Sequence, residues 1–128
     1  MKENGSMDGK TVLVVDDSSL NRKLIRTILD LKKIRIIEAG DAEKALELTR
    51  LHRPDLILMD LQLPGMNGLE ATEVLKTDSE TASIPIVILS AGSIPEDDRK
   101  MHQSGASGLI LKPFSAGELL ETVSSFLI

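Results

Sequence analysis

Five short apolar runs, rich in β-branched residues, recur along the 128-residue chain. They are Thr11–Val15, Ile34–Ile37, Leu56–Met59, Ile86–Leu89 and Leu109–Leu111, and an amphipathic stretch follows each. A strand with one wet face alternates apolar and polar side chains, whereas an unbroken apolar run suits a strand covered on both faces, as in a parallel sheet. The intervening stretches have helical spacing. Ser19–Lys32 carries Leu20, Leu24, Ile25, Ile28 and Leu31 along one stripe, and Asp41–Leu51 carries Ala42, Ala45, Leu46 and Thr49. Asn67–Lys76 opens on a suitable N-cap, and Pro95–Ser104 starts on proline and stops before Gly105. Ser115–Leu127 turns Leu119, Leu120, Val123, Phe126 and Leu127 inward. This (βα)5 pattern predicts an α/β fold, a doubly wound five-stranded parallel sheet with right-handed crossovers. One domain is expected over residues 10–128, after a polar, Gly/Ser-rich leader over residues 1–9.

Composition removes several function classes. Fifteen Lys and Arg against 20 Asp and Glu give a net charge of −5, a poor basis for nucleic-acid binding, which draws on Lys/Arg displacing phosphate counterions. There is no Trp or Tyr, and Phe114 and Phe126 are the two aromatics, so a base-stacking platform is not expected. The absence of Cys excludes disulfides, thiolate nucleophiles and Cys-ligated metals. No apolar run approaches the ~20 residues of a membrane span, and Met1–Lys10 lacks a signal-peptide core, so a cytoplasmic location is expected.

The chemistry gathers where the strands end. The first run is followed by Asp16 and Asp17, the third by Asp60, the fourth by Ser90 and the fifth by Lys112 and Pro113. In an open parallel sheet the ligand crevice lies outside the carboxyl ends of the strands, so three carboxylates, a hydroxyl and an ammonium meet at one mouth. Two unit charges ~4 Å apart interact by ~4 kcal/mol at an effective dielectric near ~20. Lys112 offsets only one of the three negative charges, and a divalent cation would cancel the rest. The all-oxygen donors favour Mg²⁺, Mn²⁺ or Ca²⁺ over Zn²⁺ or copper.

The segments VLVVDD, LILMDLQLPGMNG, IVILSA and LILKPF, in this order and at these strand ends, resemble the receiver domain of response regulators in two-component signalling. The likeness runs from Thr11 to Ile128 and implies a flavodoxin-like strand order, 2-1-3-4-5. It implies that Asp60 is a phosphoacceptor nucleophile forming an acyl phosphate. Asp16 and Asp17 would hold Mg²⁺, with Mn²⁺ as the alternative, together with Asp60 and the backbone carbonyl of Gln62. Ser90 would donate a hydrogen bond to one phosphoryl oxygen and Lys112 would pair with another, so that catalysis is positioning and charge neutralisation. Pro113 would follow a cis peptide bond that aims Lys112 inward. The implied donor is a histidine kinase or a histidine phosphotransfer protein. The implied downstream face is built by the fourth helix, fifth strand and fifth helix, with no nucleic-acid or membrane partner. With the last helix ending the sequence, a stand-alone relay protein or a receiver of a hybrid kinase is expected.

Three positions bear on how the chain compares with the family pattern. Leu109 stands where many receivers carry the Tyr or Phe that swings inward on activation, and it has no hydroxyl to exchange partners. Gln62 and Gly92 occupy positions that tune hydrolysis of the acyl phosphate, and Gly92 leaves the attacking water less shielded.

Other readings explain less. A haloacid-dehalogenase-type phosphohydrolase needs a second acid two positions after its strand-end Asp, where this chain has Ser18, and a cap insertion it lacks. A flavodoxin-like electron carrier needs a hydroxyl-rich phosphate loop and aromatics around the flavin, and the first strand here leads into DDSS. Gly5, Gly9, Lys10 and Thr11 imitate a phosphate loop, one residue short and on the wrong side of the strand. Asp16 and Asp17 alone would suit a helix N-terminus, as would Glu96, Asp97 and Asp98. His52 and His102 are expected in solvent, and Met59, Met66 and Met101 as packing.

Overall fold

The apolar runs become five strands: β1 (Thr11–Val15), β2 (Arg35–Ala39), β3 (Leu56–Asp60), β4 (Ile86–Ala91) and β5 (Gly108–Lys112). The computed structural model describes residues 7–91 and 103–128. The strands pair in the order β2-β1-β3-β4-β5, and every ladder is parallel. The expected doubly wound architecture is the one observed. Four helices lie among the described residues: α1 (Ser19–Asp30), α2 (Ala42–His52), α3 (Gly68–Thr77) and α4 (Ala116–Leu127). The helix expected over 95–104 falls almost entirely outside the described residues, as do Gly92, Met101 and His102.

Successive side chains of a strand point to opposite faces, and here each face has its own helices. Val12 and Val14 of β1 pack with Ile25, Ile28 and Leu29 of α1 and with Leu119 and Val123 of α4. Leu13 and Val15 pack with Ala42 and Ala45 of α2 and with Leu69, Ala71 and Leu75 of α3. β3 is buried along its whole length. Two covered faces are why the runs are unbroken. Thr49 is buried because its hydroxyl donates to the Ala45 carbonyl, 2.7 Å away, which removes most of the cost of burying it.

Each helix starts on a side chain that accepts the orphan backbone N–H of its first turn: Ser18, Asp41, Asn67 and Ser115. Such a cap contributes about 1 kcal/mol. Asn67 and Glu70 also satisfy each other reciprocally as a capping box.

The stripe expected on α1 is only half right. Ile25, Ile28 and Leu29 face the sheet, but Leu20 and Leu31 are each 74% exposed and Leu24 is 52% exposed. At about 100° per residue, Leu20, Leu24 and Leu31 form a second stripe beside the buried one, and the sheet is wide enough to cover only one. The leader also needs correcting at its end. Met7 is buried in the cluster beneath α1, Lys10 N–H donates to the Met7 carbonyl and Gly9 N–H to the Lys33 carbonyl. Residues 7–9 therefore pack with the domain. Among the described residues, no helix is long and apolar enough to cross a membrane.

Gly68, the first residue of α3, lies against the end of β3. A methyl group there would strike the Asp60 carbonyl oxygen and come within 3.0 Å of its carbon and 3.1 Å of Leu61 Cα. Gly68→Ala is expected to cost about 2–3 kcal/mol as overpacking, read as a lower urea midpoint at unchanged slope. An unchanged midpoint would refute this close approach.

Candidate functional site

The sheet delivers its polar groups to one end. Asp16 and Asp17 follow β1, Asp60 closes β3, Ser90 is the penultimate residue of β4 and Lys112 closes β5. Register aligns these ends, with Asp60 beside Leu89 and Ala91 beside Lys112. One carboxylate oxygen each of Asp16, Asp17 and Asp60 lies within 4.8 Å of the others. Lys112 Nζ sits 3.2 Å from Asp16 Oδ2 and 3.4 Å from Asp60 Oδ1. A cleft of about 350 Å³ opens over them, with Asp17, Asp60, Gln62, Pro64 and Lys112 on its walls.

The three carboxylates differ in environment. Asp16 is fully buried and satisfied: Oδ1 accepts from Ser18 N–H at 2.9 Å, and Oδ2 accepts from Lys112 and, at 3.4 Å, from Asn21 Nδ2. Asp17 is exposed. Asp60 is buried, and its Oδ1 accepts from Gln62 N–H at 3.4 Å. Burial foremost, then the Asp16 charge, hold the Asp60 carboxyl above the usual carboxylate range, with Lys112 and the Gln62 N–H pulling the other way. Three oxygen donors from carboxylates, one of them open to solvent, fit a hard dication such as Mg²⁺ that keeps part of its hydration.

Ser90 is buried, and its Oγ has no hydrogen-bond partner among the described residues. Leaving such a group unpaired costs roughly 1–3 kcal/mol, and an oxygen supplied from outside the chain would satisfy it. Leu109 is half-buried, packed on the α2 and α3 side of the sheet. The Lys112–Pro113 peptide is cis.

Some parts of the site were not read from the sequence. Asn21 reaches Asp16, and Arg22 donates to the Asp16 carbonyl at 2.6 Å and to Glu38 Oε1 at 3.0 Å. The available signal was a lone glutamate in the strand RIIEA together with two arginines four residues apart, Arg22 and Arg26. A second cavity of about 360 Å³ adjoins the mouth, lined by Asn21, Leu24, Ile25, Pro113 and Phe114, with Asp16 and Lys112 on its inner wall.

Residues 12–124 match the family model of the response regulator receiver domain. The polar-differentiation response regulator DivK of Brucella anthropi is 41% identical over 118 residues, which cover 92% of this chain and 96% of the relative. The chemotaxis protein CheY4 of Vibrio cholerae superposes with a TM-score of 0.88 at 30% identity, covering 93% of this chain and 99% of that one. The receiver domain of the sensor histidine kinase PA1611 from Pseudomonas aeruginosa, solved with a magnesium ion in its active-site cleft, gives 0.85 at 28% identity over 93% of this chain and 98% of that one.

The raised Asp60 carboxyl has a stability consequence. Folding favours its protonated form, so its stabilising contribution is present below the ordinary carboxylate pKa and is lost as pH rises through the raised value. In metal-free buffer at neutral pH, Asp60→Asn is expected to melt roughly 2–5 °C higher than the parent. The gain should vanish once the pH falls below ~4. A lower melting temperature at neutral pH would contradict the crowding.

Proposed function

This chain belongs to the response regulator receiver family, and on that premise we propose that Asp60 accepts a phosphoryl group from a phosphohistidine in a Mg²⁺-dependent reaction. The observation that carries the reading is the meeting of Asp16, Asp17 and Asp60 within 4.8 Å, beneath a lysine that spans two of them.

The residues act as follows. An Asp60 carboxylate oxygen attacks phosphorus, and the P–N bond breaks with its electron pair going to the imidazole. The other ring nitrogen carries the proton, so the imidazole leaves neutral and Asp60 becomes an acyl phosphate. Asp16, Asp17, Asp60 and the Gln62 carbonyl would hold Mg²⁺. The ion, when bound, neutralises the crowded carboxylates and the charge of the incoming phosphoryl group. Ser90 Oγ donates its free hydrogen to one phosphoryl oxygen. Lys112 shifts from Asp60 toward another while Asp16 holds its position. Both donors stand at the mouth before the reaction, and a short shift of Lys112 completes the set, which suits a loose phosphoryl transition state. The chain is thus a signalling phosphoacceptor that catalyses its own phosphorylation.

The donor is a histidine kinase or histidine phosphotransfer protein. Leu24 of α1 stands exposed and shares a cavity wall with Pro113 and Phe114, and Leu20 is exposed on the same stripe of the helix, giving a protein donor apolar ground beside the mouth. The downstream face is read as the segment over 95–104 with β5 and α4. Leu109 on β5 has no hydroxyl, so the signal passes through the β4 backbone and Ser90 rather than through a swinging aromatic ring.

Incubation with acetyl phosphate and Mg²⁺ is expected to add the mass of one phosphoryl group in intact-mass spectrometry. Asp60→Asn and chelation should each abolish the addition, and Ser90→Ala should slow it by roughly 10²-fold. An Asp60→Asn protein that gains the mass would refute the acceptor. Leu24→Asp should leave labelling by acetyl phosphate intact and slow transfer from a phosphorylated histidine phosphotransfer protein about tenfold. Equal slowing with both donors would remove Leu24 from the docking surface.

A further inference from the structure

Asp17 is the exposed member of the acidic trio, and among the described residues it makes no hydrogen bond that would aim it. Its direction therefore rests on the backbone, and above all on the peptide that joins it to Asp16. That peptide is held at its oxygen. Arg22, in the first turn of α1, donates from Nη1 to the Asp16 carbonyl at 2.6 Å. The same guanidinium donates from Nε to Glu38 Oε1 at 3.0 Å. Glu38 lies on β2 beside Val14, and Arg26 grips its other oxygen at 2.7 Å. On the near side of Asp16, its own N–H donates to the Ala39 carbonyl at 3.1 Å. Both peptides that flank Asp16 are thus tied to the end of β2, one by the sheet and one by Arg22.

We propose that Arg22 is a positioning residue for the dication site: it fixes the Asp16–Asp17 peptide plane, and through it the aim of the Asp17 carboxylate, before an ion arrives. The inference rests on the reading of this site as a Mg²⁺-dependent phosphoacceptor. Mg²⁺ demands near-octahedral oxygen geometry, so a ligand already aimed loses less freedom when it binds. A guanidinium suits this pair of partners. Its planar fork reaches the carbonyl and the carboxylate at once, whereas a lysine ammonium is a single point with no fixed fork. Arg22 also carries positive charge, which by Coulomb attraction and repulsion alone would weaken cation binding. Positioning and charge therefore act with opposite sign when the side chain is removed.

The test is Mg²⁺ binding to the whole chain, measured by calorimetry and by backbone amide shifts, in the parent and in Arg22→Met, Arg22→Lys, Glu38→Gln and Arg26→Met. Arg22→Met and Arg22→Lys are expected to bind Mg²⁺ about 10–100-fold more weakly, the usual loss when a group orienting a metal ligand is removed. Glu38→Gln should show a smaller loss in the same direction. Arg26→Met also breaks an ion pair to Glu38 but does not touch Asp16, and should bind within about twofold of the parent. In metal-free buffer the Asp17 amide should exchange hydrogen faster in the Arg22 variants than in Arg26→Met. Unchanged or tighter binding by Arg22→Met overturns the proposal, as does equal weakening by Arg26→Met. If Arg22→Met does not fold, Arg22→Lys and Glu38→Gln carry the same test. A parent protein that binds no Mg²⁺ would instead overturn the phosphoacceptor reading, and this inference with it.

Discussion

Like-charge crowding at one end of the sheet is the interaction on which the rest of this molecule turns. Three carboxylates with oxygens within 4.8 Å of one another are held together against their repulsion, and one lysine spans two of them. The cost falls unevenly. Asp16 is buried but surrounded by donors, Asp17 is left to solvent, and Asp60 is buried with its carboxyl pushed upward. A site kept in this state favours positive charge, and in the proposed reaction the incoming phosphoryl group relieves the Asp60 carboxylate. The Ser90 hydroxyl, unpartnered among the described residues, has the same character: in the proposed reaction it is the donor that meets a phosphoryl oxygen.

The scaffold can sustain this tension because both sheet faces are filled. Val12 and Val14 anchor the end of β1 from one side, and Leu13 and Val15 anchor it from the other. β3 is buried throughout, so Asp60 projects from a rigid rod, and Gly68 lets the start of α3 press against its carbonyl. Rigidity at the base, solvent at Asp17 and an apolar cavity beside the mouth are three different environments within one site. Each suits a different role in the proposed reaction: holding the acceptor, admitting an ion and receiving a protein donor.

Legibility in the sequence followed the range of the interactions. The strands and helices were readable because each is a local pattern of apolar spacing, bounded by caps such as Asn67 or by proline and glycine. Boundaries moved by a residue or two; β2, for example, begins at Arg35 and runs to Ala39. The α1 stripe failed for a physical reason. Leu20, Leu24 and Leu31 have the spacing of a buried face, but α1 offers more apolar surface than one side of the sheet can cover, and periodicity does not say which stripe wins. Met7 failed similarly, since a single apolar residue in a polar stretch gives no local signal of burial.

The sequence by itself determined the architecture class and the identity of the polar groups at the strand ends, because both are written in short-range pattern: Asp16, Asp60, Ser90 and Lys112 each directly follow an apolar run, and Asp17 comes one residue later. The strand order entered only through resemblance, since periodicity carries no information about which strands are neighbours. Tertiary structure alone decided that Lys112 bridges Asp16 across 96 positions of chain, that Ser90 Oγ has no partner among the described residues, and that Arg22 and Glu38 meet behind Asp16. Those facts depend on how separate elements pack against one another, and packing is set by the whole core rather than by any segment of it.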